Sequence, residues 1–376
     1  MKGLFPVRIL SFCFRFLPVG RRKILFLSYY GNMYGCNPKY ISDYIVSNHP
    51  EWNVVWAFTE PGKYYGMPFR TVRYMSFRFF YELCTSRVFV TNFRMPEFYR
   101  RRKGQLYIQT WHSSMRLKAI EADAGDTVPD NYLRMARHDS EQISFLLSGC
   151  AKSSEIFRRA FWYDGEIVPT GTPRIDMLLS DDQDMRKYIK AKLGLDRQIH
   201  VVMYAPTFRE SKNLDVYDLD LNGLCYSLRD KWGGNWCVLL RLHPHLCNRS
   251  SSIIKKNSQV LDVTKYEDVQ ELLAISDVVV SDYSSLVFDF AFTSRPCFLY
   301  VPDLKEYLEK ERKLYFRIED LPYPIIHDNS ELTDVIYSFN EEDYKNGIRS
   351  LLKEVGTYET GHACEKVYEA MMNHLS

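Results

Sequence analysis

The sequence contains no GxxxxGK[ST] phosphate loop and no GxGxxG turn, so neither a P-loop ATP site nor a Rossmann-type NAD site has sequence support. Its 9 cysteines are scattered and form no CxxC pair. That argues against a zinc ribbon or a disulfide framework and for buried thiols in a reducing compartment. No uninterrupted apolar run approaches the roughly 20 residues that span a bilayer. Net charge is only +2 over 376 residues, so bulk electrostatics give no reason to expect nucleic acid as a partner. Acid is missing from the amino terminus, where the first acidic residue is Asp43.

What is present fits a globular chain long enough for two domains: hydrophobic residues make up 46% and charged residues 26%. Aromatics reach 15%, a content suited to wide apolar interfaces or a carbohydrate-facing cleft. The opening segment "MKGLFPVRILSFCFRFLPVGRRK" has a pattern of its own. Read as a helix, Phe5, Ile9, Phe12 and Phe16 share one face, and Arg8, Ser11 and Arg15 share another. Arginines interrupt the apolar stretch, which disfavours a signal peptide. The better reading of residues 1–22 is a basic amphipathic segment on an anionic membrane surface, with an ordinary first helix packed on the body as the alternative. The basic cluster at 100–103 is a second candidate for such contact.

Strand-like runs recur at 23–30, 53–58, 87–92, 105–111, 199–207, 235–244, 258–263, 276–282 and 296–303, with helical patterns between them. Near-continuous apolar strands alternating with helices predict parallel sheets covered on both faces. The Gly-, Pro- and Asp-rich stretch 164–182 marks a junction, and the tail from about 330 reads as helices. The expected fold is α/β: two Rossmann-like domains facing a cleft, with C-terminal helices. The boundaries drawn are 23–175 and 176–376. Ligands in such sheets bind beyond the carboxyl ends of the strands.

Polar groups gather at those ends. "QTWHSS" places His112, Ser113 and Ser114 after one strand, "YAPTFRE" places Thr207 and Arg209 after another, and "LLRLHPH" places Arg241 and His243 after a third. "SDYSSLVFD" follows a fourth, with Ser284 and Ser285 where helix caps sit. Arginine forks and helix-end N–H groups neutralise phosphate, and a histidine takes a proton from an acceptor hydroxyl. The chemistry this predicts is transfer from a nucleotide diphosphate. "DLD" at 218–220 has the form of a metal-binding DxD, but acids are common ahead of a helix for electrostatic reasons. "HPH" at 243–245 lacks a third ligand at metal spacing. No metal or cofactor is expected.

Taken in order, "TWHSSMRLK", "TGTPRIDMLL", "APTFRE", "RLHPH" and "ISDVVVSDYSSLVFDFAFTSRPCFLYVPDLKEY" resemble the CDP-glycerol glycerophosphotransferase family of teichoic-acid primases and polymerases. The resemblance covers roughly 105–318 and implies a GT-B-type enzyme held at the cytoplasmic face of the membrane. It implies His112 as base and His243 as an essential histidine. It also implies donor contacts at Arg174, Pro206, Thr207, Arg241, Ser284, Ser285 and Asp289, with the carboxylate on glycerol or ribose hydroxyls. Trp111, Ser113, Ser114 and Arg209 complete the candidate substrate-binding set. The implied partners are CDP-glycerol or a related CDP-polyol and a lipid-linked glycan acceptor. A GT-B glycosyltransferase using a nucleotide sugar and an inactive glycan- or lipid-binding relative are the alternatives. One departure is clear: the family commonly reads HGTP where this chain reads His112-Ser113-Ser114-Met115, which reshapes the loop nearest the acceptor. With no further module ahead of the first strand, a primase-like or single-addition enzyme is expected as readily as a polymerase.

Overall fold

The structure is a computed structural model that describes residues 14–209, 215–242, 259–311 and 313–376, without the side chains of residues 126 and 127. The chain divides into two compact units. The first takes residues up to Ser114, Glu121–Asp176 and Thr357–Ser376, and the second takes Met115–Ile120 and Met177–Gly356.

The first unit is built on a seven-stranded sheet of order β3-β2-β1-β4-β5-β6-β7. Its strands are β1 (Lys23–Leu27), β2 (Asn53–Phe58), β3 (Arg70–Arg73), β4 (Val88–Thr91), β5 (Leu106–Gln109), β6 (Phe145–Leu147) and β7 (Glu166–Val168). The second unit has a six-stranded sheet of order β10-β9-β8-β11-β12-β13. These strands are β8 (His200–Tyr204), β9 (Trp236–Leu240), β10 (Val260–Asp262), β11 (Val278–Ser281), β12 (Cys297–Tyr300) and β13 (Ile325–Ile326). Every pairing is parallel. The central strands read "KILFL" and "VVVS" and are buried along their whole length, as double coverage by helices requires.

All the strands expected from the sequence form. Those it missed are β3, β6, β7 and β13, which are short or lie towards the sheet edges. "RTVR" and "EIV" leave side chains in solvent and carry too little apolar pattern to stand out.

The order in each sheet starts at a central strand, runs outward, then returns to the other side. The reversal falls between β1 and β4 in the first unit and between β8 and β11 in the second. Such a switch point opens a crevice beyond the carboxyl ends of the two strands.

The final helix corrects the drawn boundary. Residues 357–376 group with the first unit, not with 176–356. Val367 and Met371 of helix Ala363–Leu375 are each 1% exposed and pack into the cluster of Ile24, Ile41, Trp56 and Ile108. Asp176 caps this helix from a distant part of the chain, accepting from Ala363 N at 2.9 Å and Cys364 N at 2.8 Å. The chain also crosses briefly at Met115–Ile120, where Lys118 makes an antiparallel bridge to Leu314 within the second unit.

Of the amino-terminal segment, residues 1–13 lie outside the described residues. Phe14 packs edge-on against Phe77 at 4.7 Å, and Arg15 donates to the Arg100 carbonyl at 2.6 Å. Phe16 is 77% exposed. Among the described residues no helix is long and apolar enough to cross a membrane.

Candidate active site

In the second unit the switch-point strands deliver two loops side by side, 205–209 after β8 and 282–285 after β11. Asp282 ties them together. Its carboxylate accepts from Thr207 N at 2.9 Å and from Thr207 Oγ1 at 2.6 Å, and it pairs with Arg209 at 2.9 Å. Arg209 also forks onto Asp303, with Nε at 2.7 Å and Nη2 at 3.2 Å, and donates to the Thr207 carbonyl at 2.6 Å. Its guanidinium lies over the stacked rings of Tyr283 and Tyr307.

Arg209, expected among the substrate contacts, is 2% exposed with its charge matched by two carboxylates, a setting that makes it a strut of the loop. Asp282 and Tyr283, delivered by the same strand, complete the strut, since Tyr283 donates to Asp303 at 3.0 Å. Pro206 is buried and Thr207 half-buried at the loop's tip.

Ser284 and Ser285 start the short helix Leu286–Ala291. Ser284 Oγ accepts from Leu286 N at 3.3 Å, whereas Ser285 is already helical and makes no cap bond. Its Oγ accepts instead from Leu117 N at 3.1 Å. Both hydroxyls serve as acceptors in these bonds, so each keeps a proton to donate to an anionic oxygen. Arg241 follows β9, where its Nη1 donates to the carbonyls of Val263 at 3.2 Å and Tyr266 at 2.6 Å. His243, two residues on, lies outside the described residues.

Asp289 does not reach the surface: it is 0% exposed, and its Oδ2 accepts from Gln270 Nε2 at 2.8 Å. The hydroxyl contact inferred for it is therefore not offered by an exposed carboxylate. Asp220 of "DLD" caps helix Leu221–Trp232 by accepting from Asn222 N and Gly223 N, which is the electrostatic role that competed with metal binding.

In the first unit His112 stands on the loop beyond β5, beside two aromatic rings. Trp111 lies 4.3 Å and Tyr29 5.8 Å from it between ring centroids, and both are nearly parallel to the imidazole. The surrounding backbone is strained. Tyr29, Tyr30, Cys36 and Trp111 all have left-handed φ, between 44° and 59°, which costs a non-glycine residue about 1–3 kcal/mol and often marks a functional loop.

Ser113 is half-buried, but Ser114 is 0% exposed, and its carbonyl accepts from Ser153 Oγ at 2.6 Å. Ser114 is thus part of the wall behind the loop. Arg174 is also buried and belongs to this unit: its Nη1 reaches Cys36 Sγ at 3.5 Å.

Behind Ser114 sits a residue the sequence did not flag. Glu359 accepts from Thr172 N at 2.8 Å, and a Cβ added at Gly149 would run into Ser114 Oγ, Glu359 Oε1 and Thr172 Oγ1. Only glycine admits that convergence.

Burial pushes the Glu359 carboxyl up to about 7 from 4.5. The unfolded chain ionises first, so the stability this neutral group contributes is complete below about pH 4.5 and is lost as pH rises through 7. Glu359→Gln keeps an acceptor for Thr172 N and cannot ionise. Its unfolding free energy should gain on the wild type between about pH 5 and pH 8, by about 3 kcal/mol at the upper end. Urea titrations of both proteins at a series of pH values check this, and parallel curves would refute it.

The sequence also missed Tyr29, Asn37, Asp282 and Asp303. Asp282 and Asp303 lie inside a motif already singled out, but nothing local marks Tyr29 or Asn37.

Residues 9–373 match the family described as CDP-glycerol:poly(glycerophosphate) glycerophosphotransferase. The teichoic acid poly(glycerol phosphate) polymerase of Bacillus subtilis is 31% identical over 93% of this chain, which spans 48% of that relative, about half its length. The enzyme of the same description from Bacillus spizizenii is 28% identical over 97% of this chain and 96% of its own. Among solved structures, a histidine variant of the wall teichoic acid polymerase TagF soaked with CDPG superposes with a TM-score of 0.85 at 28% identity, covering 98% of this chain and 93% of that one. The two parallel sheets and C-terminal helices are the GT-B-like architecture of that enzyme. With the match running almost end to end, this chain belongs to the CDP-glycerol:poly(glycerophosphate) glycerophosphotransferase family of enzymes.

Proposed function

We propose that this chain transfers a polyol phosphate from CDP-glycerol, or a related CDP-polyol, to a hydroxyl of a lipid-linked glycan acceptor, releasing CMP. The supporting observation is the pair of serine hydroxyls at the switch point of the second sheet, each with a proton to donate. Ser284, Ser285 and Arg241 hold the diphosphate, and the rigid Pro206–Thr207 tip shapes the pocket around it. His112 takes the proton of the attacking hydroxyl. The acceptor oxygen bonds to the phosphorus that carries the polyol, the bond from that phosphorus to the bridging oxygen breaks, and CMP leaves with the electron pair. His243 stabilises the charge that develops on CMP.

The test is incubation with CDP-glycerol or CDP-ribitol and membranes bearing acceptor, with CMP as the readout. Release of UDP or GDP from nucleotide sugars, without CMP from either CDP-polyol, would overturn the reading. Ser284→Ala/Ser285→Ala should weaken CDP-glycerol binding by about 3–6 kcal/mol, because two hydrogen bonds to a charged group are lost. Calorimetry reads this directly, and unchanged affinity would remove the serines from the donor site.

The acceptor is lipid-linked in this reading, so the basic amino terminus with exposed Phe16 and Phe77 faces the anionic cytoplasmic leaflet. Co-sedimentation with acidic vesicles that salt abolishes is the matching readout.

A further inference from the structure

Helix Cys36–Asn48 begins beside the loop that carries His112, and its first turn holds that loop from below. Asn37 is 0% exposed. Its Nδ2 donates to the carbonyls of Thr110 at 3.2 Å and Trp111 at 3.1 Å. Its Oδ1 accepts from Arg174 N at 3.1 Å. Two carbonyls on one side and an N–H on the other fix the amide's orientation, since a flipped amide would set oxygen against oxygen. The neighbouring Cys36 Sγ lies 3.9 Å from the His112 carbonyl. From the opposite side, Gln109 Oε1 accepts from Trp111 N at 3.0 Å.

Trp111 is thereby held at both its N–H and its carbonyl, in a left-handed conformation with φ 49°. A tryptophan does not adopt that conformation without support. Relaxing it rotates the next residue, and the next residue is His112.

We propose that Asn37 is the positioning residue of His112. By clamping the carbonyls of Thr110 and Trp111, it stores the backbone strain that aims the imidazole at the acceptor hydroxyl, and through Arg174 N it fixes the 172–174 turn to the same point. Asn37 itself touches no substrate in this scheme. The inference rests on the reading of His112 as the base.

The test uses the full chain and CDP-glycerol as the donor. Asn37→Ala is expected to lower kcat by about 10²-fold, the scale of a misplacement of about 1 Å at a reacting group. KM and calorimetric affinity for CDP-glycerol should stay within about threefold, because Ser284, Ser285 and Arg241, which hold the diphosphate in the proposed function, lie in the second unit. Added to His112→Ala, it should cost nothing further, since it acts only through that side chain. If Asn37→Ala lost donor affinity, marking a folding defect, Asn37→Ser would be read in the same way.

A kcat within about threefold of wild type in either folded variant would overturn the proposal. So would a further full loss on the His112→Ala background. If His112→Ala alone kept wild-type turnover, the base assignment would fail instead, whatever Asn37 did.

Discussion

His112→Ala should reduce transfer by about 10²–10⁴-fold while leaving CDP-glycerol affinity within a few fold, because a general base acts on the acceptor proton and not on donor binding. The setting of the imidazole supports a working role more than a structural one. It is half-buried, its backbone neighbours are strained, and two aromatic rings stack beside it and fix its plane. A structural histidine in that position would reveal itself through stability, so unfolding by urea should be measured on the same variant. Steady-state CMP release and donor calorimetry together decide the question. Turnover close to wild type would remove His112 from the mechanism, and loss of donor affinity would move it to the donor's side.

Arg209→Met should destabilise the second unit by about 3–5 kcal/mol, the usual cost of breaking a buried ion pair from one side. The change leaves Asp282 and Asp303 buried without their counter-ion, and the Thr207 carbonyl without its donor. Had Arg209 been a phosphate ligand, the same change would cost affinity and leave stability nearly untouched. Denaturant unfolding separates the two cases. Neutralising the partners as well, with Asp282→Asn and Asp303→Asn, should recover part of the loss, because an unpaired buried charge costs more than a missing pair. An Arg209→Met protein of unchanged stability would contradict the strut.

The fold was largely legible in the sequence because its central strands are local signals. Runs such as "KILFL" and "NVVWAF" are apolar and β-branched enough to be strands wherever they sit, and burial on both faces implies parallel sheets. The residues after those strands were legible for the same reason: the end of a buried strand is where polar side chains first become affordable. Short outer strands such as β7 and β13 carry no comparable pattern and emerged only as partners of strands already formed.

Which polar residue does what was decided by tertiary contacts alone. In sequence, Arg209 and Arg241 are equivalent arginines after strands. Asp303 lies 94 positions from Arg209 and claims its guanidinium, whereas Arg241 donates to the carbonyls of Val263 and Tyr266. Asn37 looks like an ordinary residue at a helix start until folding brings Trp111, 74 positions on, and Arg174, 137 positions on, to its amide. Glu359 reads as a tail residue until it meets Thr172 behind Ser114. Local propensity and hydrophobic period set strands, helices and the loops that carry function, because neighbouring residues suffice for that. Hydrogen bonds and charge pairs between distant segments set role, burial and ionisation, because no partner is defined until the chain has closed on itself.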